Sequence, residues 1–241
     1  ERNAEFILGS LRVDGALLHV YKDGQAKQQG FLDDYACVAQ GLLALYEATG
    51  AQRWLEAVQA RVEEMIAEFW DETEGGFFYT AQHGEQLIVR QKDFFDNATP
   101  SGNSVAANVL LRLAVLLEKP DYQRKALTIF RLMHEQLMRY PSAFGRLLSA
   151  LDFHLSTPKE IVLIGDPEAA ETRALAREVW RRYLPNKVVA QAAAGDESAA
   201  SLIPLLRDRP ALGGRPTAYV CENYTCQQPV TTPQELAAQL S

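Results

Sequence analysis

Shifting the sequence by 68 residues superimposes one helical hairpin on another, and this self-similarity constrains the fold more than any other feature of the chain. The shift lays Leu42, Leu43 and Leu45 on Leu110, Leu111 and Leu113, Trp54 on Tyr122, and Met65 on Met133. In the first copy Ala39, Leu42, Leu43 and Tyr46 recur at helical spacing, predicting a helix over 35–49 with Gly50 as its stop. A second helix, over 52–70, carries Trp54, Val58, Val62, Met65, Ile66 and Phe69 on one stripe. The runs 75–79 and 86–90 flank His83-Gly84 and predict a β-hairpin. A unit of helix, turn, helix and hairpin leaves an apolar face that only a neighbouring copy can cover.

The start of the chain reads as the tail of a preceding copy. Ala4-Glu5-Phe6 echoes Ala67-Glu68-Phe69, and Asp14-Gly15-Ala16-Leu17-Leu18 echoes the segment at Gly75. The expectation is therefore the C-terminal part of a longer protein. Residues 144–155 supply one more helix, and after Thr157-Pro158 the period changes. Residues 160–165 form a short apolar run, 167–183 a helix with Pro167 in its first turn, and 187–192 a second apolar run. Strand, helix, strand in this order predicts parallel pairing. A third strand is expected over 217–221 and a last helix after Thr232, with Gln234-Glu235 in its first turn. The organisation is a helical block over 1–157 and a small α/β segment over 158–241, so the fold class is mainly α.

Composition narrows the function classes. A net charge of −7 with basic residues scattered among acidic ones argues against a nucleic-acid partner. No apolar run approaches the roughly 20 residues that span a bilayer, and no signal peptide opens the chain. Three cysteines, Cys37, Cys221 and Cys226, are too few for a disulfide scaffold, which favours a reducing, cytoplasmic setting. Cys221 and Cys226 lack the spacing of a redox motif and two further zinc ligands nearby; a structural thiol pair is the simplest reading, with a disulfide or a redox sensor as the alternative. The triplets at Asn97 and Asn223 match the glycosylation pattern and are read as inert. The run 161–166 has one glycine before Asp166-Pro167 and lacks a phosphate cradle, so no nucleotide cofactor is expected.

Three motifs carry a resemblance over essentially the whole chain. Gly30-Phe31-Leu32-Asp33-Asp34-Tyr35-Ala36 is followed by Leu45-Tyr46-Glu47-Ala48-Thr49. Lys92-Asp93 is followed by Asp96-Asn97-Ala98-Thr99-Pro100-Ser101-Gly102-Asn103-Ser104. The last is Thr217-Ala218-Tyr219-Val220-Cys221-Glu222-Asn223, with Cys226 and Pro229-Val230-Thr231. Together they resemble the thioredoxin-domain-containing protein family that includes spermatogenesis-associated protein 20. The resemblance implies an N-terminal thioredoxin-like domain, absent from this chain, and a six-hairpin (α/α)6 toroid of which this chain holds part. The toroid is similar to those of glycosidases and sugar epimerases, a link at the level of fold.

In such toroids the pocket lies where the inner helices begin. Asp33, Asp34 and Tyr35 stand at one such start, and Asp96, Ser101, Gly102 and Asn103 at the next. Two acidic clusters across a cavity are the material of glycoside chemistry, which makes Asp34 and Asp96 the candidate catalytic pair. Asp33, Tyr35, Lys92, Asp93, Ser101 and Asn103 are candidate ligand-binding residues. The competing reading is that Asp and Ser ahead of an apolar run are N-caps, and that Lys92, Asp93 and Arg90 are solvated loop charges. The histidines, His19, His83, His134 and His154, stand apart from the helix starts, which weakens an epimerase. Two function classes follow: a carbohydrate-processing or carbohydrate-binding toroid, and a non-catalytic scaffold for the absent domain.

Overall fold

The computed structural model describes residues 1–13, 15–84, 88–223 and 225–240. The chain is mainly α-helical and divides into two compact units. The first comprises 1–45, 53–111 and 121–151, and the second 46–52, 112–120 and 152–241.

In the first unit, α1 (Arg2–Ser10) leads into three antiparallel strands, β1 (Arg12–Val13), β2 (Ala16–Lys22) and β3 (Gln25–Gln29). Asp23 and Gly24 both take positive φ between Lys22 and Gln25, the two-residue turn whose twist suits a tight hairpin. Helices α2 (Leu32–Thr49) and α3 (Gln52–Phe69) are the first hairpin, and α4 (Gly102–Leu117) and α5 (Pro120–Arg139) the second. Most residues matched by the 68-residue shift are buried in both copies, Leu42 and Leu43 with Leu110 and Leu111, Trp54 with Tyr122, Met65 with Met133, whereas Leu45 is only half-buried against a buried Leu113. The repeat therefore reflects equivalent core positions. Helix α6 (Gly145–Leu155) follows.

The β-hairpin predicted over 75–79 and 86–90 does not form in the described residues. Phe77 makes one antiparallel bridge, to Trp70, while Ile88 and Val89 are exposed in a bend. Gln86 and Leu87 lie outside the described residues, as does Asp14 of the first echo. The segment is organised instead by single backbone bonds: Phe78 N–H donates to Phe69 O (2.8 Å) and Tyr79 N–H to Gln91 O (2.7 Å).

The second unit holds a four-stranded sheet in the order β5-β4-β6-β7. Strands β4 (Lys159–Ile164) and β5 (Lys187–Ala192) are parallel, joined through α7 (Ala170–Trp180), as the strand–helix–strand pattern predicts. After α8 (Glu197–Leu202), β6 (Thr217–Glu222) runs antiparallel to β4 and β7 (Thr225–Cys226) antiparallel to β6. Helix α9 (Pro233–Gln239) starts at a capping box, Thr232 with Glu235. Ile161, Leu163, Val189, Ala218 and Val220 pack with Leu175 and Val179 of α7 and with Leu236 and Leu240. β4 is buried on both faces, which explains its unbroken apolar run.

The corners 46–52 and 112–120 contribute the charged element of this unit. Glu47 is 1% exposed and its carboxylate pairs with Arg112. Glu47 Oε1 also accepts from Val189 N–H (3.3 Å), while Gln191 Nε2 donates to Glu47 O (2.6 Å). Gly50 takes φ +70 after α2, and a Cβ there would meet Gln191 Cβ at 2.8 Å. The helix stop thus needs glycine twice over, for conformation and for space.

Cys221 and Cys226 correct an expectation. They face each other across β6 and β7 and are joined as a disulfide, not held as two thiols. Gln227 N–H donates to Val220 O (2.9 Å), so the cysteines occupy the neighbouring non-hydrogen-bonded pair, where opposed side chains come closest. The antiparallel register of β6 and β7 brings them together across five residues of sequence; no redox spacing is needed for that.

Candidate functional site

The first turn of α2 is the centre of the candidate site. Phe31 precedes the helix, and Asp34 Oδ2 reaches back to accept its N–H (2.8 Å), half of a capping box. Asp33 and Asp34 both sit where the helix dipole favours negative charge. Capping does not exhaust Asp34. His19 on β2 turns Nδ1 toward both of its carboxylate oxygens, at 2.8 and 3.0 Å. The antiparallel hairpin therefore delivers a histidine to the helix start, across fifteen residues of sequence.

Two loops close on the same point. Leu32 N–H donates to Tyr79 O (3.0 Å), which fixes Tyr79 beside the helix start. The Phe31 and Tyr79 rings stack at 4.9 Å with 13° between planes, and His19 meets Phe31 edge-on at 5.1 Å. Asn103, fully buried, ties the second loop in place: its Oδ1 accepts from Phe77 N–H (2.8 Å), and its Nδ2 donates to Phe77 O (2.9 Å) and Asp93 O (2.8 Å). Gly102, the 68-residue equivalent of Asp34, lies directly against the first turn of α2. A Cβ on it would stand 2.5 Å from Asp33 Oδ1 and 2.6 Å from Leu32 Cγ, so the approach requires glycine.

These contacts shift the Asp33, Tyr79 and Cys37 groups from their ordinary ranges. Burial holds the Asp33 carboxyl above the usual carboxylate range; the Gly102 N–H opposes this, the charges of Asp93 and Asp34 add to it, and His19 offsets them. The Tyr79 hydroxyl is likewise pushed up by burial and by Asp33, Asp34 and Asp93. Cys37, an exposed thiol one turn along α2, is raised by desolvation and then by Asp33 and Asp34. Three carboxyls, a histidine and two rings thus share one partly exposed neighbourhood.

The other residues singled out in the sequence are placed differently. Tyr35 is buried, packs on Phe69 at 5.1 Å between ring centroids, and accepts Leu17 N–H at its hydroxyl (3.0 Å). Lys92 Nζ bonds Asp71 Oδ2 (2.6 Å) and Gly75 O (2.8 Å), an ion pair that holds the Asp71 carboxyl below its usual range. Ser101 caps α4, its hydroxyl accepting Ser104 N–H at 3.2 Å. Asp96 Oδ1 accepts from Ser101 N–H (2.9 Å) and Oδ2 from Arg146 N–H (2.7 Å) and Leu147 N–H (3.3 Å), so its carboxylate joins the start of α4 to that of α6. Asp33, Asp34 and Asp93 are brought together; Tyr35, Lys92, Asp96, Ser101 and Asn103 spend their polar atoms on the framework. His19 and Tyr79 join the site without any local sequence signal. Among the described residues, no group of three or more His, Cys, Asp or Glu is arranged to hold a metal ion.

The fold and site define a mainly α protein of repeated helical hairpins that presents an acidic, aromatic-lined cluster at one helix start. The chain is 40% identical to human spermatogenesis-associated protein 20 over 210 residues, which cover 86% of this chain and 27% of that protein. The rat protein of the same name is also 40% identical, over 86% of this chain and 26% of its own length. An uncharacterised protein of Caenorhabditis elegans is 31% identical over 98% of this chain and 33% of its own. The chain therefore spans about a quarter to a third of the curated relatives it matches. No family model matches it. No described helix is long and apolar enough to cross a membrane.

Proposed function

We propose that the cluster of Asp33, Asp34 and His19, flanked by Phe31 and Tyr79, binds a neutral carbohydrate-like ligand at the mouth of a partial (α/α)6 toroid. The observation that carries this reading is the Asp34–His19 pair, which stands with Asp33 beside the Phe31 and Tyr79 rings. Asp33 is held toward its protonated form by burial, whereas Asp34 is bonded to the Phe31 N–H and to His19. In this reading Asp33 and Asp34, the latter oriented by His19, bond the hydroxyls of the sugar. A half-exposed Tyr79 ring offers the apolar surface that a sugar face covers. Asp96, the candidate partner from sequence, has the weaker support, because three backbone N–H groups already occupy it.

The test is a thermal-shift and calorimetry panel of mono- and disaccharides. A sugar that binds the native chain at 100 times its Kd stabilises it by about 2.7 kcal/mol. Wild type should respond to at least one sugar, and Asp33→Asn and Asp34→Asn should lose that response while remaining folded. A panel with no response, or a response unchanged in both variants, overturns the reading.

A second reading is supported by the framework roles of Tyr35, Lys92, Ser101 and Asn103: a scaffold for the thioredoxin-like domain that the resemblance implies. Binding of such a domain, produced separately, to a chain carrying Asp33→Asn as tightly as to wild type would favour it.

A further inference from the structure

The second unit contains a group that the sugar reading does not use. The Cys221–Cys226 disulfide lies at the edge of an open depression of about 500 Å³ lined by Arg209, Tyr219, Cys226, Gln227 and Pro229, among others. The two sulfurs differ in access. Cys221 is fully buried on β6, and Cys226 is exposed on β7. Arg209 Nη2 stands 3.4 Å from both sulfurs. Its Nη1 donates to Leu205 O, its buried Nε has no partner, and no carboxylate lies within ion-pair distance of it among the described residues. An arginine held by the buried Leu205-Leu206 corner is thus turned onto a disulfide, with Glu160 as its principal charged neighbour. It matches what a departing thiolate requires.

We propose that Cys221–Cys226 is a thiol–disulfide exchange site that accepts electrons from a dithiol entering the depression. The exposed Cys226 Sγ is the sulfur attacked. A thiolate of the entering dithiol forms a bond to Cys226, the Cys221–Cys226 bond breaks, and its electron pair departs on Cys221 Sγ. The Arg209 guanidinium balances the charge left there, and a leaving thiol stabilised in this way leaves faster. Glu160 stands opposite Cys221 in the β4–β6 register, on the same face of the sheet. Burial raises its carboxyl above the usual range, against the pull of Arg209; it relays to the Cys221 thiolate the proton that the entering thiol released. The second thiol of the entering molecule, once deprotonated, attacks its own sulfur in the mixed disulfide and displaces Cys226, whose thiolate takes up the proton that this thiol released. The dithiol leaves as a cyclic disulfide and the chain is left with two reduced cysteines, a transfer of two electrons and two protons. Tyr219 steadies the wall, its hydroxyl donating to Pro210 O (2.6 Å).

The experiment uses the chain oxidised in air, with dithiothreitol as the dithiol and reduced glutathione as a monothiol comparison. Alkylation followed by mass analysis counts free thiols with time. The native chain should begin with Cys37 as its one free thiol, and native dithiothreitol should reduce the bridge without denaturant. Arg209→Met should slow that reduction about tenfold or more, and raise the pH at which the reduced pair is half-alkylated; Arg209→Lys should recover part of both. Circular dichroism checks that each variant is folded, and Arg209→Lys alone decides if Arg209→Met is not. Two free thiols at 221 and 226 in the air-oxidised chain overturn the proposal. So does reduction that requires unfolding, or a rate and pH profile indifferent to the residue at 209.

Discussion

Replacing Arg112 by Met isolates the buried Glu47 carboxylate and tests the electrostatics of the second unit. Glu47 is 1% exposed, and burial already raises its carboxyl above the ordinary value of 4.5 although Arg112 pairs with it and Lys187 lies within electrostatic reach. Breaking a buried pair by removing one partner costs about 3–5 kcal/mol, because the remaining charge is left without compensation. The Val189 N–H at 3.3 Å still reaches Glu47, which points to the lower end, near 3 kcal/mol. For a chain of this size that corresponds to a fall in Tm of about 6–12 °C. The sign with pH follows from the direction of the shift. Without Arg112 the folded state holds the Glu47 proton still more tightly than the unfolded state does. Stability is then lost as pH rises through the window between 4.5 and the raised folded value, and is regained below 4.5. The deficit of Arg112→Met relative to wild type should therefore be largest at neutral pH and shrink toward pH 4. The double variant Glu47→Gln/Arg112→Met should recover most of the loss at neutral pH, since it removes the stranded charge. Thermal melts and urea titrations of the three proteins between pH 4 and 8 make the comparison. A deficit below about 1 kcal/mol, a deficit independent of pH, or a double variant no better than the single one refutes the reasoning.

Two further substitutions probe the support of the candidate site. Asn103→Ala leaves Phe77 N–H, Phe77 O and Asp93 O without their partner, and should cost about 2–4 kcal/mol in urea unfolding; a loss under 1 kcal/mol would mean water replaces all three bonds. Gly102→Ala drives a methyl to 2.5 Å from Asp33 Oδ1 and should destabilise by about 1–3 kcal/mol while weakening any ligand response that depends on Asp33; a fully stable variant with intact response would contradict the close approach.

The helices were legible in the sequence because their signal is local. A stripe repeating every 3.6 residues fixes which face of a helix is buried, and the 68-residue shift fixes that two hairpins bury equivalent residues. The parallel pairing of β4 and β5 followed from chirality and connection length, which also need no knowledge of the rest of the chain. Even the alternation along β6, with Tyr219 and Cys221 on one face and Ala218 and Val220 on the other, is read directly from a two-residue period. The Asp23-Gly24 turn of β2–β3 carries a local signal as well. Site chemistry was another matter. Asp33 and Asp34 were visible as acidic residues at a helix start, but nothing in the spacing distinguishes one used in capping from one that gathers a histidine. His19 meets Asp34 only because β2 folds back over fifteen residues, and Arg209 meets the cysteines only because the segment after α8 crosses β6. Asp96 pairs with Asp34 as a catalytic candidate in the sequence, yet three backbone N–H groups claim it. The hairpin expected between 75–79 and 86–90 shows the same limit: its apolar residues promised a strand, and Ile88 and Val89 pair with no strand among the described residues. Periodicity records which side of an element avoids water. Which polar groups meet is decided by where distant segments cross, and the strength of those meetings depends on burial that only the folded chain provides.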